Sequence, residues 1–535
     1  MNIIQKALNK KLHISQKTEV NQQSWEEFYE KTISKKIIMF GVGACADFVL
    51  ENHKDISFEG VIDNDYRKQG FYLEDFVEEA KKMECGKLKI AAIEMLKQFS
   101  ANSIAILITS TNYYEQIMQQ LEKMGINNFY IALIMEANAR KDMSENELRL
   151  IEEKQSPESY AQICCREEIN YKKIFFYSFG TYSDHGKYIT EAILRTRADL
   201  DIVWMVNNLH TQVPKGVRKI YAGNWKRCTY EMETARIWVY NMVVPNYIQK
   251  RAQQIYIQTK HWASITLKRF YLDSLTIQDV SENVANWRYN SQIMDYVITG
   301  SDFDSESSRR GFGFQKEVLQ IGSPRSDALF CSNKYKNKIN DFYHIETSMR
   351  ILLYAPTYRF DKSSRVHLHE MRGIDLDFEL TKKSLEQRFG GKWYILLRLH
   401  PSVAKESSKI EKPEYVIDAS NYEDSEELAA ACDIMISDYS SIMFEPAFVK
   451  KPVFLFATDR KDYIDKEYDL LIDYDTLPFP IAETNEELAS CILNFDQEKY
   501  EMELDAFMEK YDVHEDGHAS ERAAEFISKQ IDKEW

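Results

Sequence analysis

Two segments of the chain pair a strand with residue types that handle phosphate. The first is Gly41-Val-Gly43-Ala-Cys-Ala46, which follows an apolar run, with Asp63 and Asp65 in the V-I-D-N-D run downstream. Glycines at a strand-to-helix turn let phosphate oxygens reach the N–H groups of the helix N-terminus, and an acid at the next strand end can accept from ribose hydroxyls. Gly41, Gly43 and Asp63 are therefore candidate nucleotide contacts, although a scaffold that uses its glycines only for packing would look the same. The second segment, 434–463, is an apolar strand, a polar turn and a helix that opens at a serine pair. Ser440 and Ser441 stand where hydroxyls and free N–H groups would meet a phosphate. Asp438 and Ser440 acting only as helix caps would leave the same pattern.

Other polar residues lie at strand ends. Arg359 closes Y-A-P-T-Y-R, and its planar fork suits phosphate oxygens, with a surface ion pair as the plainer alternative. His400 ends Y-I-L-L-R-L-H, and Arg325 sits in G-S-P-R-S-D, where Asp327 or another acid could equally claim it. No metal site is expected: Asp302-Phe-Asp304 is one D-x-D in an acid-rich chain, and His367 and His369 have no acid or cysteine arranged around them. The eight cysteines form no C-x-x-C pair, so neither zinc nor a disulfide framework is indicated, which fits a reducing cytoplasm.

The elements that must position these residues read as alternating strands and helices. Residues 1–35 suggest an amphipathic helical lead-in, after which K-K-I-I-M-F-G-V-G-A-C-A-D-F-V-L reads as a strand, a glycine turn and a helix start, with further strands in 59–63, 89–93, 103–110 and 127–133 separated by helical spacing. The charged stretch 136–170 carries a Ser-Pro break and no strand pattern, and reads as a helical linker. Strand runs resume with K-K-I-F-F-Y-S-F-G and continue to L-Q-I-G-S-P; a second series runs from M-R-I-L-L-Y-A-P-T to K-P-V-F-L-F-A-T. The expected fold is α/β. A small Rossmann-like domain (1–140) and the linker (141–171) precede two Rossmann-type domains, 172–345 and 346–535, the last closing with C-terminal helices.

A chain of 535 residues with 44% hydrophobic content has material for about three globular domains. Net charge is −16, which excludes general nucleic-acid binding through phosphate neutralisation. No run approaches the roughly 18 apolar residues of a membrane span, so a cytoplasmic protein is expected, peripheral to a membrane at most. An acidic chain gains little from anionic headgroups, so membrane contact needs a local basic surface. Lys215 to Arg227 is the candidate, against an ordinary solvated face.

Five motifs in order, I-G-S-P-R-S-D (321–327), Y-A-P-T-Y-R (354–359), L-R-L-H-P (397–401), D-Y-S-S-I-M-F-E (438–445) and K-P-V-F-L-F (451–456), resemble the CDP-glycerol glycerophosphotransferase family, which primes or polymerises teichoic acids. T-A-R-I-W-V-Y-N (234–241) and Q-I-Y-I-Q-T-K-H (254–261) are similar to the family's stretch leading into its catalytic histidine. The resemblance covers about residues 172 to 500 and implies a GT-B-like pair of domains, acceptor-side first and CDP-donor side second. One stretch departs from the pattern. Where the family reads W-H-G-T-P-L-K, this chain reads Lys260-His261-Trp262-Ala-Ser-Ile-Thr-Leu267-Lys268, losing the glycine and proline and adding two residues.

The resemblance implies transfer of glycerol phosphate, or a similar polyol phosphate, from a CDP-linked donor to a hydroxyl of an envelope glycan or glycolipid, releasing CMP without a cofactor. His261 matches the catalytic histidine and would be the general base. His400, Arg359, Ser440 and Ser441 would hold the donor diphosphate, and Arg325 would add charge. Asp438 and Glu445 would orient the turn or meet ribose or polyol hydroxyls; the family more often has Asp at the position of Glu445. Implied partners are the CDP-polyol, the acceptor, a membrane surface and a second copy of the chain. Ribitol-phosphate transfer, or a non-catalytic nucleotide-binding role in an envelope-polymer assembly, are the alternatives.

Overall fold

Strands that read as unbroken apolar runs become the buried centres of parallel sheets, where both faces are covered. In the computed structural model, which describes residues 20–274, 282–357, 359–361, 366–368, 375–400, 403–466 and 470–533, three such sheets follow one another along the chain. The first comprises β1 (Lys36–Phe40), β2 (Phe58–Ile62), β3 (Ile90–Ala91), β4 (Ile104–Ile108) and β5 (Phe129–Ile131), ordered β3-β2-β1-β4-β5. The second comprises β6 (Asn170–Tyr177), β7 (Asp201–Val206), β8 (Val217–Tyr221), β9 (Ala235–Tyr240), β10 (Ile255–Gln258), β11 (Tyr296–Thr299) and β12 (Val318–Gln320), ordered β12-β11-β10-β9-β6-β7-β8. In the third, β13 (Arg350–Ala355) is followed by the antiparallel pair β14 (Arg359–Asp361) and β15 (Val366–Leu368), which stands apart. Then come β16 (Trp393–Leu397), β17 (Val416–Asp418), β18 (Ile434–Ser437), β19 (Val453–Phe456) and β20 (Ile481–Ala482), giving the order β17-β16-β13-β18-β19-β20.

Counted from its own first strand, each sheet begins with the order 3-2-1-4-5, so each reverses direction between its first and fourth strands: β1 and β4, β6 and β9, β13 and β18. Ligands of open parallel sheets bind at the carboxyl ends of the strands flanking such a reversal. The α/β class and the sequence of one small and two larger Rossmann-type sheets agree with the expectation. Four helices matter below: α1 (Ala44–Asn52), α2 (Asp184–Thr196), α3 (Asp302–Phe312) and α4 (Ser425–Ala431).

The chain divides into two compact units, one of Met1–Phe175, Asp201–Arg236 and Tyr247–Ala252, the other of Phe176–Leu200, Ile237–Asn246 and Gln253–Trp535. The first has a core around the first sheet that includes Phe28, Ile38, Phe40, Leu107 and Leu121, all fully buried. The second has a core around the third sheet, with Leu352, Leu353, Ile395, Ile436 and Phe454 fully buried. Each such side chain contributes about 1.5–3 kcal/mol relative to exposure.

Two local readings are refined. The segment between β2 and β3 forms short 3₁₀ turns (Leu73–Asp75, Glu79–Lys82, Glu84–Lys87) instead of a regular helix. The chain doubles back there so tightly that a Cβ on Gly86 would lie 2.2 Å from the Ala80 carbonyl oxygen. In the lead-in, residues 1–19 lie outside the described residues, and a helix spans Trp25–Thr32 with Ser24 accepting from the Glu27 N–H. The charged stretch beyond β5 is helical over Ala132–Arg140, Glu145–Lys154 and Pro157–Cys164, the second started by a Ser144–Glu147 capping box and the third by Ser156 ahead of a first-position proline.

Candidate functional site

At the reversal of the third sheet, the chain leaves β13 through Thr357 and Arg359 and leaves β18 through Asp438 to Ser441. Asp438 is buried and accepts from the Thr357 N–H (2.8 Å), the Thr357 hydroxyl (2.6 Å), its neighbour's N–H at Tyr439 (2.6 Å) and Arg359 Nη1 (3.0 Å). Arg359 is 1% exposed, and its other edge is held in a two-point contact by Asp459, Nε at 2.7 Å and Nη2 at 2.9 Å. Its guanidinium lies 5.1 and 5.2 Å from the ring centres of Tyr439 and Tyr463, which stack 3.7 Å apart at 8°. Burial alone would lower the Arg359 pKa, but Asp438 and Asp459 outweigh it and hold the group charged. The fork that the sequence offers to phosphate is thus turned onto two carboxylates, with Asp438 locking the start of the serine turn.

Ser440 caps the turn, accepting from the Ile442 N–H at 3.4 Å. Ser441 Oγ accepts from the Leu267 N–H at 3.1 Å and lies 3.3 Å from the Thr266 hydroxyl, so the turn is tied to the segment that follows His261. Both serines are only half-buried.

The second sheet reverses between β6 and β9, and β10 lies beside β9. Three non-glycine residues here have left-handed backbone, Phe179 (φ 49°), Asp184 (φ 59°) and Lys260 (φ 56°). Such conformations cost about 1–3 kcal/mol each and persist only where the surroundings fix them. His261 follows β10, half-buried, its ring edge-on to Phe179 (5.1 Å) and Trp262 (4.9 Å), with Nδ1 unpartnered. Burial pushes the His261 pKa down to about 4, helped by Arg325 and Lys260 and opposed by Asp184 and the Asn241 backbone. The imidazole is therefore neutral at neutral pH and able to take a proton. His185 is fully buried, with Nε2 3.0 Å from the Trp262 carbonyl oxygen, and burial drives its pKa well below the usual value.

Arg325 organises this centre. Its Nη1 donates to Asp184 (2.9 Å) and to the His261 carbonyl oxygen (2.8 Å); its Nη2 reaches Glu426 and lies 2.8 Å from Glu445. Asp184 also accepts from Asn241 Nδ2 at 2.8 Å. Glu445 is 1% exposed with Oε2 unpartnered, and burial raises its pKa to about 7 despite Arg325. Next to it, Lys187 on α2 pairs with Asp424 (2.5 Å) and Glu427 at the start of α4. Sequence reasoning missed Asp184, Lys187, Asp424, Glu426 and Glu427. The available signal was the acid–His pair opening α2, Ser183-Asp184-His185.

The segment that departs from the family pattern is packed and anchored. Ile265 and Leu267 are fully buried, Leu267 accepts from the Leu471 N–H (2.8 Å), and the Ser264 hydroxyl bonds Glu515. A Cβ on Gly300 would fall 1.5 Å from Ser264 Oγ, so glycine there makes room for the altered segment. The D-x-D pair serves structure. Asp304, fully buried, pairs with Lys260 Nζ (3.1 Å) and accepts from Gly300 N–H (3.0 Å), while Asp302 accepts from Gln320 (3.1 Å). His367 lies on β15 and His369 outside the described residues. No group of three or more metal-ligating side chains occurs among the described residues.

His400 is exposed just beyond β16, its carbonyl accepting from the Val403 N–H (2.9 Å). Gly41, Gly43 and Asp63 meet at the reversal of the first sheet, where they line a cavity. The basic surface expected over Lys215 to Arg227 is largely neutralised. Arg218 pairs with Asp201 (2.7 Å) and Glu231 (3.0 Å), Arg227 with Glu231 (2.5 Å), and buried Lys226 with Asp47 (2.8 Å) and Glu51 (3.0 Å). Among the described residues, no helix is long and apolar enough to cross a membrane.

A family model described as CDP-Glycerol:Poly(glycerophosphate) glycerophosphotransferase matches residues 159–529. Among curated relatives, a teichoic acid poly(glycerol phosphate) polymerase of Staphylococcus epidermidis is 29% identical over 431 residues, 76% of this chain and 58% of that protein. A teichoic acid glycerol-phosphate transferase of Staphylococcus aureus is 28% identical over 374 residues, 67% of this chain and 94% of that one. Against the polymerases of S. epidermidis and Bacillus subtilis the chain spans only 58% and 50% of their length. A solved structure of the wall teichoic acid polymerase TagF is similar with a TM-score of 0.61 at 28% identity, covering 73% of this chain and 99% of that one. Another, of a TagF variant soaked with CDPG, has a TM-score of 0.62 at 27% identity and covers 73% and 98%.

Proposed function

Because the chain belongs to the CDP-glycerol:poly(glycerophosphate) glycerophosphotransferase family, we propose that it moves glycerol phosphate from CDP-glycerol to a hydroxyl of an envelope glycan or glycolipid and releases CMP. The observation that carries this reading is a neutral histidine, held by its backbone to a buried arginine, on a segment tied directly to an open serine turn.

In this reading His261 accepts the proton of the acceptor hydroxyl as its oxygen attacks the β-phosphorus in line. The new acceptor O–P bond forms, the bond from the β-phosphorus to the CMP oxygen breaks, and CMP departs with that oxygen. The proton on His261 then passes to solvent. Ser440 and Ser441 give hydroxyl contacts to the donor diphosphate, and exposed His400 gives a third polar contact. Arg325 and Arg359 act as positioning residues, one fixing the histidine segment and the other the serine turn through Asp438. Glu445 orients Arg325.

The test is CMP release from CDP-glycerol with a glycolipid acceptor, run beside CDP-ribitol. Turnover that favours CDP-glycerol supports the reading. Binding of CDP-glycerol without turnover on any acceptor would sink it, and turnover only with CDP-ribitol would move the activity to the other polyol.

A further inference from the structure

The reversal of the first sheet carries chemistry that glycerol phosphate transfer does not use. The loops after β1, β2 and β4 enclose a cavity of about 500 Å³, a size suited to a small organic ligand. Gly41 and Gly43 sit in one wall for different reasons. Gly41 has φ +111°, and a Cβ there would meet the Ser110 nitrogen at 3.0 Å and the Thr109 carbonyl carbon at 3.1 Å, so the fold itself demands glycine. Gly43 has an extended φ of 179° and a Cβ on it would touch nothing within 4 Å. Neither backbone nor packing asks for glycine at 43; what the missing side chain leaves clear is the approach to the N-terminus of α1, which no side chain caps.

The loop is held rigid from behind. Asp63, 8% exposed, accepts from the Val42 N–H at 2.7 Å through Oδ2 and from the Asp65 N–H at 2.8 Å through Oδ1. Lys68 Nζ bonds the Val42 carbonyl oxygen (2.6 Å) and Asp63 (3.2 Å), which keeps a positive charge beside the glycine turn. The facing wall offers Ser110, Thr111 and Asn112 and the ring of Tyr113, which is 61% exposed. A rigid backbone cradle with a cation on one side and an exposed aromatic face on the other matches a diphosphate joined to a flat base.

We propose that this cavity binds a nucleoside diphosphate, free or within a nucleotide-activated sugar or a dinucleotide, with its phosphates on the 43–45 backbone and its base on Tyr113. Asp63 holds the loop through the Val42 and Asp65 N–H groups.

The full-length protein is titrated with ADP, UDP, UDP-glucose, NAD⁺ and inorganic pyrophosphate, and amide hydrogen exchange locates each ligand. At least one nucleotide is expected to bind and to protect residues 42–46 and 110–116, more tightly than pyrophosphate; which one binds identifies the source. Gly43→Asp puts a favoured cap on α1, so its thermal midpoint holds or rises while its carboxylate lowers nucleotide affinity by about tenfold or more. Tyr113→Ala, at an exposed position, lowers nucleotide affinity about fivefold or more and leaves pyrophosphate unchanged. The proposal is overturned if no nucleotide protects these amides at millimolar concentration, if pyrophosphate binds as well as the best nucleotide, or if both variants keep wild-type affinity.

Discussion

The first and third sheets share a strand order and treat its reversal point in opposite ways. Between β1 and β4 the crevice is lined by glycines and short hydroxyl side chains and stays open. Between β13 and β18 it is filled by Arg359, Asp438 and the stacked Tyr439 and Tyr463, while the serine turn beyond stays half-buried. Topology therefore supplies a place where a ligand can bind, while side-chain volume and charge pairing decide whether the place presents backbone or holds a neighbouring turn in register. In the filled crevice the arginine is turned onto two carboxylates, although the isolated motif offers it to phosphate.

The largest effects should come from the filled side and the histidine segment tied to it. His261→Ala is expected to lower kcat by about 10²–10⁴-fold, the usual worth of a general base, with CDP binding within a few-fold of wild type. Comparable activity in the variant would remove the histidine from the base role. Arg359→Met would strand Asp438 and Asp459, and breaking a buried pair in this way costs about 3–5 kcal/mol. Its counterpart at the open reversal is Arg67, exposed and paired to Asp65. Arg67→Ala should cost no more than about 1 kcal/mol. Urea midpoints of the two variants test the contrast directly, and equal losses would break it.

The sequence made the open crevice easy to read and the filled one hard. Gly41, Gly43 and Asp63 act through neighbours in the chain, a turn and the strand after it, so local pattern was enough to place them at one reversal. The strand runs were legible for the same reason, since a parallel strand buried on both faces is uniformly apolar. The buried charges obey no such rule. Arg325 meets Glu426 across 101 positions and Lys187 meets Asp424 across 237. Lys226 reads as part of a basic surface until the fold brings Asp47 and Glu51 to it. Charges read one at a time look available to ligands; folding pairs them because an unpaired buried charge is costly.

A smaller effect separates the two glycines of the open crevice. Gly41→Ala forces a side chain onto φ +111° and against the 109–110 backbone, and should cost about 1–3 kcal/mol. Gly43→Ala meets neither obstacle and should stay within about 0.5 kcal/mol of wild type. Hydrogen exchange of β1 and β4 amides resolves the difference. Equal losses would mean that Gly43 is also there for packing.

The last effect is a pH dependence in which His261 and Glu445 oppose each other. His261 is pushed down to about 4 from an ordinary 6.5, so below pH 6.5 the unfolded chain binds more protons than the folded one. Its contribution to stability is present above pH 6.5 and is lost as pH falls toward 4. Glu445 is raised from 4.5 to about 7, so the folded chain keeps a proton that the unfolded chain releases. Its contribution is full below pH 4.5 and is lost as pH rises toward 7; Glu233, raised to about 7, has the same sign. Between pH 4.5 and 6.5 the histidine and the glutamates pull the stability curve in opposite directions. His261→Gln removes one side of that balance, so the variant's stability should fall with rising pH across this window more steeply than that of the wild type. Glu445→Gln should tilt the curve the other way. Parallel curves for the wild type and both variants in chemical denaturation at pH 4.5, 5.5 and 6.5 would show that neither group titrates where burial places it.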